Sequence, residues 1–160
     1  MHAGSAFRVP LRRTGLTLVE LLLVVGMLAV LAAIALPAYQ NYRERVKQAV
    51  AIQDITVLQA LIRSHQINGG AYPESLADVG NAGKLDPWGR PYVYVDLSSL
   101  QGKGMARKDR KLNPINSDFD LYSLGRDGAS RTQLTNKESL DDVVRANDGA
   151  YIGLAADYTR

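Results

Sequence analysis

Residues 12–39, "RRTGLTLVELLLVVGMLAVLAAIALPAY", decide how the rest of the chain is read. The eighteen residues from Leu21 to Ala38 carry no charge. A helix over Leu16 to Ala38 would span about 34 Å, enough to cross a hydrocarbon core. Arg8, Arg12 and Arg13 precede the run, which predicts a cytoplasmic N-terminus with the rest of the chain outside. Ala33-Ile34-Ala35 has the small-residue spacing of a signal-peptidase site, but the apolar run is longer than the roughly 7–15 residues of a cleavable signal core. The helical pattern also continues past Pro37 into Tyr39-Gln40-Asn41-Tyr42.

Glu20 stands at the head of this run. A carboxylate in a bilayer costs on the order of a few kcal/mol and calls for a partner or a function. Were the chain cut after Gly15, Leu16 would carry a new α-amino group one helical turn before Glu20. Opposite charges would then meet in the apolar layer, within one chain or between staggered neighbours. Alternatively, Glu20 is a first-turn glutamate favoured by the helix dipole at headgroup depth. The local sequence leaves both readings open.

The chain has 160 residues, 46% of them apolar, which allows one modest domain beside the N-terminal run. Net charge is +3, yet from Leu16 onward the 16 basic side chains equal the 16 acidic ones, so no general polyanion-binding surface is implied. The absence of cysteine excludes disulfides, thiolate metal sites and cysteine nucleophiles.

Past the apolar run, Val46, Val50, Val57, Leu58, Leu61 and Ile62 recur at helical spacings, predicting an amphipathic helix packed on a domain through these residues. Asn68-Gly69-Gly70 ends it. The helix would then run from Leu16 to about Gln66, kinked near Pro37. "AYPESLADVG" reads as a turn and a short helical piece. "LDPWGRPYVYVDL" reads as a turn followed by a strand, and "SDFDLYSLG" as its partner, with Phe119, Leu121 and Ser123 alternating with Asp118, Asp120 and Tyr122. A third short strand is expected at Asp142 to Arg145, followed by a turn at Asn147-Asp148-Gly149. Periodicity thus predicts a long helix against a small antiparallel sheet.

Two polar stretches are candidate sites. Lys103, Arg107, Lys108, Arg110 and Lys111 crowd together without interleaved aromatics, which favours a solvated hairpin tip over a nucleic-acid patch. In "LGRDGASRTQLTNKESLDDVVRANDG", Asp127, Asp141 and Asp142 converge if the loop folds back. Hard oxygen ligands of this kind suit calcium, while Asp-Gly turns and capping aspartates give the same pattern; spacing alone leaves this open. A hydrolase using these aspartates lacks support: His2 precedes the apolar run, His65 sits at the helix end, and no G-x-S-x-G, H-E-x-x-H or phosphate-binding glycine loop occurs.

The segment "TGLTLVELLLVVGMLAVLAAIALPAY" resembles the prepilin cleavage and methylation segment of type IV pilins and type II secretion pseudopilins. The basic leader, Gly15, Thr17-Leu18, Glu20 as fifth residue of the mature chain, and Pro37 carry the match. Leu16 stands where the family usually has phenylalanine or methionine. The resemblance implies cleavage after Gly15 by prepilin peptidase, methylation of the Leu16 amine, and assembly roles for Glu20 and Pro37.

"DPWGRPYVY", then "DFDLYSLGRDG" and a later "DD", resemble the globular domain of the major (G-type) pseudopilin of type II secretion. That resemblance implies a calcium ion bound by Asp127, Asp141, Asp142 and the carbonyl of Leu124. The longer loop "ASRTQLTNKESL" makes Glu138 a substitute ligand.

The implied fold is type IV pilin-like α+β: leader 1–15, transmembrane and filament-core helix 16–38, amphipathic helix 39–67, and periplasmic sheet and loop region 68–160. The implied role is structural, not enzymatic. Subunits stored in the bacterial inner membrane would polymerise with copies of themselves and minor pseudopilins, on an inner-membrane assembly platform, into a periplasmic filament that drives export of folded proteins. The alternative is a surface type IV pilin or minor pilin for adhesion, motility or DNA uptake. Many surface pilins carry a C-terminal cysteine pair, absent here.

Overall fold

The structure is a computed structural model that describes Gly15, residues 17–99 and residues 103–159. The leader before Gly15, and Leu16, lie outside the described residues. One helix, α1 (Leu18–Gly69), is followed by β1 (Val93–Asp96), β2 (Phe119–Ser123), β3 (Val143–Ala146), β4 (Tyr151–Leu154) and a single-turn helix, α2 (Ala155–Tyr158). The chain divides into two units, the first ending at Asn41 and the second beginning at Tyr42.

In the first unit the helix is apolar on every side. Leu22, Val25, Leu28, Leu31, Ile34 and Leu36 are all exposed in the single chain, and the helix is long and apolar enough to cross a membrane. A helix with no polar face belongs in lipid or in a core built with other chains. Pro37 lies inside this helix.

In the second unit Ala51, Ile55, Leu58 and Ile62 are buried, at spacings of four, three and four. They pack with Tyr92, Phe119, Leu121 and Val143 into one core. Phe119 lies between Tyr72 and Tyr94, its ring centroid 5.5 and 5.7 Å from theirs. The helix ends as its sequence dictates: Gly70 takes a positive φ of 77° and its N–H donates to the Gln66 carbonyl at 2.8 Å.

One expectation needs correction. Val46, Val50, Val57 and Leu61 do not face the sheet; they are between 37% and 49% exposed. At 100° per residue they form a second stripe, about 120° around the helix from the buried one. Periodicity merged two apolar faces into one because both repeat at the same spacing.

The sheet is an antiparallel meander in the order β1-β2-β3-β4. Its first three strands follow the expected pattern, with β3 shifted by one residue. The short strand β4, "YIGL", was not anticipated. The "AYPESLADVG" segment forms consecutive turns rather than a helical piece, with the Ser75 N–H donating to Asp78 at 2.9 Å.

Both faces of the sheet are covered, because Ile115, Leu134, Val144, Ala146 and Ala155 make a second core. Asp120 is therefore buried instead of solvent-facing. Its carboxylate accepts from the Arg107 backbone N–H at 2.7 Å and from Asn116 at 2.8 Å.

Polar ties fix the helix to the sheet and its loops. Tyr92 donates to Asp54 at 2.9 Å, and Lys84 pairs with the same carboxylate at 2.8 Å. Trp88 Nε1 donates to Glu44 at 3.0 Å, and Arg63 reaches the Asp148 carbonyl. Arg145, only 1% exposed, holds Asp118 through two N–H groups at 2.7 and 2.6 Å, donates to the Phe119 carbonyl and to Gln59, and lies 3.9 Å over the Phe119 ring.

Candidate functional site

At the helix start, Thr17 and Glu20 form a capping box. The Glu20 N–H donates to Thr17 Oγ1 at 3.2 Å, and the Thr17 N–H and hydroxyl donate to Glu20 Oε2 at 3.0 and 3.1 Å. Glu20 was expected as a first-turn glutamate or a charge partner; the T-x-x-E spacing is what points to the box, which accounts for the carboxylate in a single chain. Gly15 is exposed.

The C-terminal loop does fold back, but its four expected ligands are not brought together as a set. The Leu124 carbonyl accepts from the Gly128 N–H at 3.2 Å. Asp127 Oδ1 accepts from the Ala129 N–H at 2.8 Å. Asp141 Oδ2 caps the turn, accepting from the N–H groups of Arg126 and Asp127 at 2.8 and 2.9 Å. Gly125 makes that approach feasible: its φ is +62°, and a β-carbon there would lie 2.2 Å from the Asp141 carbonyl oxygen.

Asp142 points away from this turn into the interior. Fully buried, it pairs with Arg107 at 2.5 Å, while Ser130 donates to the same oxygen at 2.5 Å. Burial pushes the Asp142 carboxyl up to about 6, against the pull of Arg107 and the hydrogen bonds from Ser130 and Arg107. Glu138 is occupied by Arg131 at 2.7 Å. Among the described residues no three acidic or histidine side chains form a group that could hold a metal ion. As arranged, the expected calcium donors do not fit the ion.

Sequence reasoning missed the residues that do converge. Arg107 was assigned to a solvated tip, yet it is 2% exposed. Its second guanidinium nitrogen donates to Ser130 at 2.6 Å, and its Cζ lies 4.1 Å over the Tyr122 ring. The stretch around it is ordered against the C-terminal loop: the Lys108 N–H donates to the Thr132 carbonyl, and the Leu134 N–H to the Lys108 carbonyl, both at 2.9 Å. Arg110 and Lys111 remain exposed. Arg90 reaches the loop from the β1 side and donates to the carbonyls of Gly125 and Arg126 at 2.6 and 3.3 Å.

An N-terminal helix with an all-apolar half and a small four-stranded antiparallel sheet packed on its other half define an α+β pilin fold. Comparison with known proteins places the chain more closely. It is 30% identical over 138 residues to the type II secretion system core protein G of Pseudomonas aeruginosa, covering 73% of this chain and 86% of that protein. It is 25% identical over 147 residues to a fimbrial protein of Neisseria meningitidis, covering 89% and 84%. It is 27% identical over 147 residues to the type IV major pilin protein PilE of Neisseria gonorrhoeae, covering 84% and 86%.

The chain belongs to the family of type IV pilins and type II secretion pseudopilins. No family model and no solved structure matches it. The relatives are structural proteins, and the chain is a pilin-like structural subunit, not an enzyme. Pilin and pseudopilin relatives imply that such a subunit polymerises with itself and is anchored through its apolar helix.

Proposed function

We propose that the chain is a subunit of a type II secretion pseudopilus, cleaved after Gly15 and methylated on Leu16. It is stored in the inner membrane with its N-terminus in the cytoplasm and polymerised into a periplasmic filament that drives export of folded proteins. The observation that carries this reading is the likeness to core protein G at 30% identity over 86% of that protein. The lack of cysteine supports it too, since the C-terminal region closes without a disulfide, through its apolar core, hydrogen bonds and ion pairs. Minor pseudopilins and an inner-membrane assembly platform are the partners it implies.

The fimbrial relatives, which cover up to 89% of this chain, favour a surface pilin as the second reading. Deletion of the gene in its source organism separates the two. Loss of folded exoproteins from the medium with surface filaments intact is the expected result. Loss of surface filaments with normal export would overturn the secretion reading.

The exposed stripe of Val46, Val50, Val57 and Leu61 gives a filament subunit something to bury against its neighbours. Val57→Glu is expected to leave the melting temperature of the unassembled subunit unchanged, because the side chain touches no core, while filament yield falls at least about tenfold, a loss of roughly 1.4 kcal/mol per contact being sufficient. Sheared-filament recovery and thermal unfolding of the same variant check it.

A further inference from the structure

The C-terminal loop offers two polarities that need opposite partners: backbone N–H groups around residues 126–127 and carbonyl oxygens at 125–126. Asp141 takes the first set. Arg90 takes the second, donating to Gly125 and Arg126. It can lie this close because residue 128 is glycine; a β-carbon there would sit 2.4 Å from the guanidinium carbon. Deeper in, the buried carboxylate of Asp142 meets Arg107. Carbonyl oxygens and carboxylates gathered at a loop are what a hard divalent cation coordinates. Here a guanidinium stands at each.

We propose that Arg107 and Arg90 are the resident cations of this loop, fixing Asp142 and the carbonyls of Gly125 and Arg126 so that the fold does not depend on a divalent ion. Three observations bear on it. Arg107 and Asp142 are both buried, so each charge needs the other; one removed alone leaves an uncompensated charge inside the protein. Arginine suits the place because its planar fork serves Asp142 and Ser130 at once while its face stacks on Tyr122. Among the described residues, the buried side-chain atoms without a protein partner are Arg107 Nε and Asp142 Oδ1, one donor and one acceptor of the same pair. They call for a neutral bridging group, not a second cation, which the guanidinium would repel. The inference holds for either kind of filament.

The test is thermal unfolding of the full-length protein in detergent micelles, followed by fluorescence of its single tryptophan, Trp88, in millimolar calcium chloride and in EGTA. The wild-type melting temperature is expected to agree between the two within about 1 °C, since an ion that does not bind the folded state shifts nothing. Arg107→Ala is expected to lower it by roughly 10 °C in both. Asp127→Ala, which removes only a turn contact, is expected to give equal small losses in both. A calcium-dependent rise of more than roughly 5 °C in the wild type, abolished by Asp142→Asn, would overturn the proposal. So would an Arg107→Ala variant as stable as the wild type. If Arg107→Ala does not fold, the wild-type and Asp127→Ala comparisons decide alone.

Discussion

Arg145→Ala lowers the melting temperature of the globular unit by roughly 10–20 °C, the expected consequence of breaking a buried ion pair at about 3–5 kcal/mol in a domain of this size. The argument starts from where the side chain lies. Arg145 sits in β3, flanked by Val143, Val144 and Ala146, all fully buried. A guanidinium there has no water to fall back on and must find its partners within the protein. It finds Asp118 bidentately, the Phe119 carbonyl, Gln59 from the helix, and the face of Phe119. One side chain thus joins α1, β2 and β3.

Truncation removes the fork and leaves Asp118, the Phe119 carbonyl and Gln59 without it. Lysine is not expected to rescue, because a single ammonium cannot span both carboxylate oxygens and the carbonyl. The double variant Arg145→Met with Asp118→Leu is expected to be more stable than either single variant, since it removes both charges together. Thermal unfolding of the four proteins checks this. If Arg145→Ala melts within about 3 °C of the wild type, the pair is only a surface-strength contact and the argument fails.

The same residue shows where sequence reading reaches its limit. Elements announced by local chemistry were legible: the uncharged run after Glu20, the glycine stop at Gly69-Gly70, the Asp86 to Gly89 turn, and the tyrosine- and valine-rich strand that follows it. The second apolar stripe was visible as well, but periodicity cannot say which of two stripes meets a sheet. The strand β4 escaped because four residues containing a glycine give almost no alternation to read.

For the site, sequence located the acidic loop but not what its carboxylates meet. Asp127 takes the backbone N–H of Ala129, two residues on, which spacing could suggest, whereas Asp141 takes N–H groups 14 and 15 residues back, across the loop. Asp142 takes a guanidinium 35 residues away, which spacing could not. Arg107 read as part of a charge run, since its burial depends on the loop laid over it. Arg145 did carry a signal: a lone arginine within "VVRA" in a predicted strand is costly unless a carboxylate is brought to it.

Glu20→Ala is expected to abolish filaments while leaving membrane insertion and the melting temperature of the globular unit unchanged. The capping box makes this variant ambiguous by itself, because alanine removes a helix cap of about 1 kcal/mol as well as a charge. Glu20→Gln separates the two effects. Glutamine serves at the same position of a capping box, so the Thr17 interactions survive and only the negative charge is lost.

If assembly rests on a charge pair between Glu20 and the α-amino group of a neighbouring subunit, Glu20→Gln fails as Glu20→Ala does. An uncompensated ammonium would then remain in the apolar layer, at a cost of several kcal/mol. Filament yield, read by shearing and electron microscopy, is expected to fall by at least about a hundredfold in both variants. Wild-type filament yield from Glu20→Gln would leave Glu20 as a helix cap and refute the charge pair, even if Glu20→Ala still failed. Membrane fractionation of all three proteins must show equal insertion, because an apolar run of this length enters the bilayer with or without its leading carboxylate.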